Sequence, residues 1–263
     1  NTKMSFATWN VRTLLDNPNS DRPERRTAIV ARELLRYNID FAALSETRAD
    51  EGHLREEGGG YTFFWKGKPA NDKRVHGVGF AIKNQIVSQM TEIPAGINER
   101  FMTLRLQLAN NSSATVISAY APTLAAEEEQ KEQFYADLDE ILTIIPKEDK
   151  IILLGDFNVR VGWDSNMWRG TIGKEGVGKA NPNTILLLSK CVEHDLVITN
   201  TIFRQRDRYK TTWQHPRSKQ WHLLDYIHIT CVMRRANDCW TDHRLVRSIL
   251  SIRVAIPKHC KDF

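Results

Sequence analysis

The sequence predicts an α/β fold in which two sheets pack together with helices on the outside. Three observations lead there. Strand-like runs outnumber helical ones, eleven to three. Ile151–Leu154 is apolar throughout, as a strand covered on both faces should be, whereas "FMTLRLQL" (101–108) alternates as a half-exposed strand does. No long Pro/Gly/Ser linker, low-complexity tract or solenoid period interrupts the 263 residues, so they read as one domain, 1–263, with an ordered core of about 4–254.

In chain order, strands are expected at Met4–Trp9, Ile39–Ser45, Thr62–Trp65, Val78–Ile82, Phe101–Leu108 and Ala114–Tyr120. They continue at Ile151–Gly155, Leu196–Asn200, Thr211–Gln214, Leu223–Ile229 and Leu245–Ile252. Pro23 opens a first helix, in which Ile29, Val30, Leu34 and Leu35 share a face. A second follows Pro122, carries Phe134, Leu138, Ile141, Leu142 and Ile145 at helical spacing, and stops at Pro146. Asn183–Val192 forms the third. Its neighbours Cys191 and His194 resemble half of a zinc site, but the other half is missing.

Composition narrows the class. No stretch reaches the roughly 18 apolar residues of a membrane-spanning helix, and Asn1–Ser5 shows no signal-peptide hydrophobic region. The four cysteines form no CxxC pair and no metal-finger spacing, so free thiols and an intracellular setting are expected. Residues 201–263 carry 13 Lys and Arg against 5 Asp and Glu, a net of +8, while the first 200 sum to −3. A basic final third suits either a solvated surface or an anionic partner, nucleic acid before membrane.

The chemistry-bearing residues sit at strand ends. "LLGDFN" runs an apolar strand into Asp156 and Asn158, which alternation places on one side. "ATWN" ends at Asn10, "ALSET" at Glu46 and "SAYAP" at Tyr120; "LLDYI" sets Asp225 in an apolar strand, and "WTDHRLV" puts Asp242 and His243 before one. Singly, each has an ordinary use as a turn former, surface residue or sheet aromatic. A carboxylate at the end of a buried strand, however, needs a cation or a donor. Several such ends brought together make an oxygen-rich pocket suited to Mg²⁺. A histidine with a carboxylate partner completes the parts for metal-assisted phosphodiester hydrolysis.

"TWNVR", "SET", "YAP", "GDFN", "LDYI" and "TDH" occur in that order from residue 8 to residue 243. In this the sequence resembles the endonuclease/exonuclease/phosphatase superfamily. Within it, "WNVRTL", "SAYAPT", "EEEQKEQFY", "LVITNT", "HPRSKQWHLLDY" and "DCWTDHRLV" resemble the endonuclease domains of LINE-type non-LTR retrotransposons and their craniofacial development protein 2-like relatives. The resemblance implies a four-layer α/β sandwich, two packed, mainly antiparallel sheets flanked by helices, with the site at one rim. It implies Glu46 as principal metal ligand, Asn10 beside it, and Asp242 assisting directly or through water. By the same likeness Asp156 deprotonates the attacking water, and Asn158 holds that water and a phosphate oxygen. His243 stabilises charge on phosphorus, Asp225 fixes its tautomer and protonation, and Tyr120 donates to the phosphate or perturbs the leaving group. The hairpin expected over "TTWQHPRSKQWHLLD" (211–225) would lie against DNA through Trp213, Arg217 and Lys219, with Arg12 also on the DNA side.

Three departures stand out. Arg12 occupies a place where abasic-site repair enzymes of the superfamily carry an acidic residue, and Thr241 stands where Ser is commoner. Only 12 residues separate Ile229 from Asp242, fewer than the resemblance implies, so a strand or loop near Cys231 is expected to be shortened. The leading expectation is a DNA endonuclease dependent on Mg²⁺, with Mn²⁺ substituting, that nicks one strand and leaves a 3′-hydroxyl for target-primed reverse transcription. A reverse transcriptase domain in the full-length protein would be its partner. The alternatives are a domesticated nucleic-acid-binding or scaffold protein without cleavage, and a phosphodiesterase or phosphatase acting on RNA or small phosphates.

Overall fold

The computed structural model describes residues 3–16, 25–69, 75–109, 111–230, 236–237, 242–250 and 252. One sheet has seven strands in the order β14-β15-β1-β2-β5-β4-β3. Its members are β1 (Met4–Asn10), β2 (Phe41–Ser45), β3 (Glu51–Glu56), β4 (Tyr61–Lys66), β5 (Val78–Lys83), β14 (Ala236–Asn237) and β15 (Leu245–Leu250). The second has six, ordered β10-β13-β9-β8-β7-β6. These are β6 (Ala95–Asn98), β7 (Phe101–Gln107), β8 (Ser113–Tyr120), β9 (Lys150–Asp156), β10 (Val197–Ile198) and β13 (Asp225–Ile229). Among the described strands β1–β2 and β8–β9 pair in parallel and the other strand pairs are antiparallel. A separate hairpin joins β11 (Trp213–Gln214) to β12 (Trp221–His222).

Alternation along the strands sorts the apolar residues into three layers. Phe6, Phe41, Phe80, Leu104, Val116, Leu154 and Ile227 fill the space between the sheets. The outer face of the seven-stranded sheet, with Trp9, Leu44 and Phe63, is covered by α1 (Arg26–Arg36) through Val30 and Leu34. The outer face of the six-stranded sheet, with Ile117, Leu153 and Tyr226, is covered by α3 (Glu128–Ile144) and α4 (Thr184–Glu193). The short α2 (Asn84–Val87) follows β5. Helix, sheet, sheet, helix is the expected four-layer order.

Several expected bounds move for physical reasons. Pro23, Thr241, Val254 and three of the four cysteines lie outside the described residues. Ile145 is already extended (ψ 132°) because Pro146 follows it, which ends α3 one residue early. The expected strand Leu196–Asn200 shrinks to Val197–Ile198, because Thr199–Thr201 winds into a 3₁₀ turn tied by Thr201 Oγ1 to the Ile198 carbonyl at 2.7 Å. Leu223–Ile229 splits: Asp225–Ile229 joins the sheet, and the two residues before it leave the ladder. The strands β3 and β6 were not anticipated; both are edge strands with no fully buried residue, so no hydrophobic period marks them. Cys191 lies buried against the apolar layer, where burial pushes its thiol up, and His194 bonds Asp139 at 2.8 Å instead. The half zinc site is therefore a core thiol and a surface ion pair.

Candidate active site

Strand order delivers the site. In one sheet β15, β1 and β2 are neighbours, so His243 just before β15, Asn10 ending β1 and Glu46 just after β2 share an edge. In the other, β13, β9 and β8 are neighbours, and Asp225, Asp156 and Tyr120 stand side by side in register. Stacking the sheets brings the two trios together. Asn10 Nδ2 donates to Glu46 Oε1 at 2.9 Å and to Asp156 Oδ2 at 3.0 Å, bridging the sheets. Tyr120 Oη donates to Glu46 Oε1 at 3.0 Å. His243 Nδ1 lies 2.9 Å from Asp225 Oδ2 and 3.8 Å from Asp156 Oδ2.

Local backbone conformation sets these side chains. Arg12, Glu46, Arg48 and Asn158 all adopt positive φ, 62°, 55°, 55° and 50°. For residues with a Cβ this costs about 1–2 kcal/mol each, and such strain concentrates at functional sites. Gly155 is required for another reason: a Cβ there would meet the Ala119 carbonyl oxygen at 2.0 Å. The close approach of β8 and β9 thus explains the glycine of "GDFN". Beyond it, Asn158 N donates to Asp156 Oδ1 at 3.0 Å, and Asn158 Nδ2 donates to the Ala121 carbonyl at 2.9 Å.

The electrostatics separate the carboxylates by task. Asp156 is 1% exposed, and burial together with the charge of Asp225 raises its pKa well above the usual carboxylate range. Burial pushes His243 down, but Asp225 and Asp156 outweigh it, so the imidazolium is favoured. Burial would likewise raise Glu46, yet hydrogen bonds from Asn10, Arg48 and Tyr120 hold it below the ordinary range. The result is one ionised carboxylate, one proton acceptor of raised basicity and one protonated histidine.

All the sequence-predicted catalytic residues meet in or beside one cleft of about 740 Å³, which is also lined by Arg12, Arg48, Leu124, Arg160 and Asn181. The segment expected to be shortened lies, but for Thr230 and the 236–237 strand, outside the described residues; His243 itself is held at the site, where Trp9 Nε1 donates to its carbonyl at 3.3 Å and its backbone bridges to Trp213. Asp242 lines the cleft and has two close neighbours. Arg12 Nε lies 2.7 Å from its Oδ1, and Trp213 Nε1 donates to its Oδ2 at 3.2 Å. Trp213 thus ties this carboxylate to the hairpin, the Arg12 guanidinium lies beside it, and it lines the same cleft as Glu46. Trp213 packs near His215, His222 and His243 as a wall of the cleft, while Arg217 and Lys219 are exposed at the hairpin tip.

Sequence reasoning missed three contributors. Arg48 Nη2 lies 2.7 Å from Glu46 Oε2. Arg100 Nη1 donates to the Tyr120 carbonyl at 3.1 Å, and its Nη2 lies 3.2 Å from His76 Nε2, bracing Tyr120 from behind. Thr212 Oγ1 accepts the amides of Leu224 and Asp225 at 3.0 and 3.1 Å and so places Asp225. Arg48 alone left a signal, a cation two residues beyond Glu46.

A hard divalent cation fits this donor set. The ionised Glu46 carboxylate at the cleft would be its anchor, since Mg²⁺ commonly takes one or two carboxylates and completes its shell with water and phosphate. Fold and site together define a class: a four-layer sandwich whose rim gathers a glutamate, a buried aspartate and a histidine–aspartate pair in one cleft. The chain belongs to the endonuclease/exonuclease/phosphatase family, which it matches over residues 7–255. It is 31% identical to craniofacial development protein 2 of Bos taurus over 269 residues, 98% of this chain and 43% of that protein. The Tragulus javanicus protein of the same name is also 31% identical, with 98% and 44% covered. The chain therefore spans less than half the length of these relatives. Among solved structures, the Xenopus laevis APE2 catalytic domain superposes with a TM-score of 0.60 at 16% identity, covering 98% of this chain and 95% of that one. The Leishmania major AP endonuclease LMAP gives 0.62 at 15%, covering 96% and 88%.

Proposed function

We propose that this chain is a Mg²⁺-dependent DNA endonuclease of the LINE retrotransposon kind. It hydrolyses one phosphodiester bond to nick a single strand and leave a 3′-hydroxyl, with Mn²⁺ able to replace Mg²⁺. The observation that carries the reading is the hydrogen-bonded chain Glu46–Asn10–Asp156 facing the His243–Asp225 pair in one open cleft. Asp156 accepts the proton of the attacking water, and its raised pKa suits it to that task near neutral pH. Asn158, with one amide hydrogen committed to Ala121, offers its remaining polar groups to the water and a phosphate oxygen. Protonated His243 donates to the phosphoryl oxygen on which charge builds, and Asp225 keeps it charged and oriented. Tyr120, fixed by Arg100 and Glu46, presents its hydroxyl at the same edge. A divalent ion at Glu46 would neutralise charge on the phosphate and the leaving oxygen.

Arg12, Arg48 and Arg160 line the cleft, the first two beside Asp242 and Glu46, and offer guanidinium groups to a phosphate backbone. On this reading the described residues form one catalytic domain of a nuclear protein whose fuller length holds a reverse transcriptase. The deciding experiment is nicking of supercoiled plasmid with and without Mg²⁺, beside Glu46→Gln and an inositol-phosphate release assay. Metal-dependent nicking lost in folded Glu46→Gln supports the proposal. DNA binding without any nicking would make the chain a nucleic-acid-binding scaffold, and phosphate release without nicking a small-molecule phosphatase.

A further inference from the structure

The segment between the 3₁₀ turn at Thr199–Thr201 and the hairpin reads "RQRDRYK" (204–210). Arg204, Arg206 and Arg208 are exposed, and so are Arg217 and Lys219 at the hairpin tip. Among the described residues none of these five stands within ion-pair distance of a carboxylate. Asp207 is the single acid in residues 201–220 against six cations, of which Lys210 alone is neutralised, by Glu175 at 3.0 Å. Like charges gathered this way repel one another in the free protein, and a polyanion relieves that repulsion.

The strip is tied to the catalytic edge. Arg244, the residue after His243, lays its guanidinium 3.6 Å over the Trp221 ring. Its Nη1 donates to the carbonyls of Arg208 at 2.6 Å and Thr211 at 3.1 Å. Its backbone N donates to the Thr212 carbonyl at 2.6 Å. One arginine thus fastens the 204–211 segment against the base of the hairpin. The hairpin's other side, through Trp213, His215, Ser218 and His222, is a wall of the cleft. Arg208 stacks on the half-exposed Tyr209 ring at 4.8 Å, so part of the strip is also held in shape.

We propose that Arg204, Arg206 and Arg208 continue the phosphate-binding wall beyond the hairpin and grip the DNA duplex flanking the cut on that side. The inference rests on reading DNA as the substrate, and adds a second zone of contact outside the cleft. Each arginine neutralises one phosphate, reads no base, and sets affinity and salt dependence rather than chemistry.

The test is fluorescence anisotropy in EDTA, comparing the wild type with Arg204→Gln/Arg206→Gln/Arg208→Gln on duplexes of about 30 and about 10 base pairs. On the long duplex the plot of log affinity against log salt should become shallower by roughly 2–3, since each lost phosphate contact removes about 0.9. On the short one, which spans only the cleft, the two proteins should bind alike. Equal slopes on the long duplex would overturn the proposal, and so would an equal loss on both duplexes. Plasmid nicking in Mg²⁺ at saturating DNA is run in parallel. Equal slopes with intact nicking would remove the strip and leave the nuclease. A slope change in a chain that never nicks would keep the strip and remove the nuclease. A wild type that binds neither duplex would remove both.

Discussion

On the proposed mechanism Asp156 and His243 work in opposite protonation states, and their surroundings supply both: burial raises Asp156, and two carboxylates raise His243 against its own burial. Asp156 acts as a base only when ionised, and desolvation with the Asp225 charge lifts its pKa to about 7. His243 acts as a donor only when protonated, and despite burial Asp225 and Asp156 lift it to about 9. Single-turnover nicking should therefore rise with pH through about 7 and fall through about 9, with its maximum between. Asp225→Asn removes the charge that lifts His243, so the alkaline limb should move to lower pH. A profile flat from pH 6 to about 10 would refute the acid–base assignment. A double-mutant cycle probes the pair directly. His243→Ala and Asp225→Asn should each slow turnover by about 10²-fold or more with little change in DNA affinity. Because the aspartate acts through the imidazole, the double variant should be no slower than His243→Ala; a loss equal to the product of the two would show that they act independently.

At the scale of elements, the hairpin and the strands were legible to different degrees. The runs ending at Asn10, Tyr120 and Asp156 could be read because fully buried strands leave dense apolar segments and their polar ends stand out. The edge strands β3 and β6 could not, since neither buries a face. The roles of Arg12 and Asp242 were equally illegible, because residues 230 positions apart become partners only when β1 and β15 pair. Thr212 was missed for a related reason: a hydroxyl accepting two amides leaves no mark in composition. The hairpin itself was readable from Pro216, and its base proves more tightly anchored than its tip, through Trp213 to Asp242 and Gln214 N to the Asp242 carbonyl at 3.2 Å. Replacing Pro216–Lys219 by a Gly/Ser turn should thus leave the cleft intact. Exposed Arg217 and Lys219 can enter a narrow A·T-rich minor groove. Sequencing nick positions on a long plasmid should show an altered spectrum and weaker binding, with the rate on saturated substrate little changed. An identical spectrum with identical salt dependence would make the tip a mere connection.

At the scale of the molecule, the layer that carries the site also carries an acid-sensitive core. His228 is fully buried on β13, three residues beyond Asp225, and its ring meets Phe157 of "GDFN" edge-on at 4.5 Å and Tyr226 at 5.9 Å. Burial drives its pKa from 6.5 down to about 3, so the folded protein keeps it neutral. The sign of the linkage follows from that direction. Below about 6.5 the unfolded chain binds a proton at this histidine that the folded chain refuses, so stability falls as pH drops, until the folded pKa near 3 is reached. Between pH 7 and pH 5 the loss from this one group is about 2 kcal/mol. His243 works in the opposite sense. Its raised pKa contributes stability that is complete below 6.5 and is lost as pH rises through about 9. Phe157 and the strand partner Leu153 would both feel a charge at His228, so the consequence is loss of the outer layer beside Asp156 rather than a local adjustment. Urea unfolding of the wild type and His228→Gln at pH 7 and pH 5 isolates the term, because every surface carboxylate is common to both proteins. The variant starts less stable at pH 7 for loss of packing, but its stability should decline less on acidification, by about the same 2 kcal/mol. Parallel declines in the two proteins would place the acid sensitivity elsewhere in the core.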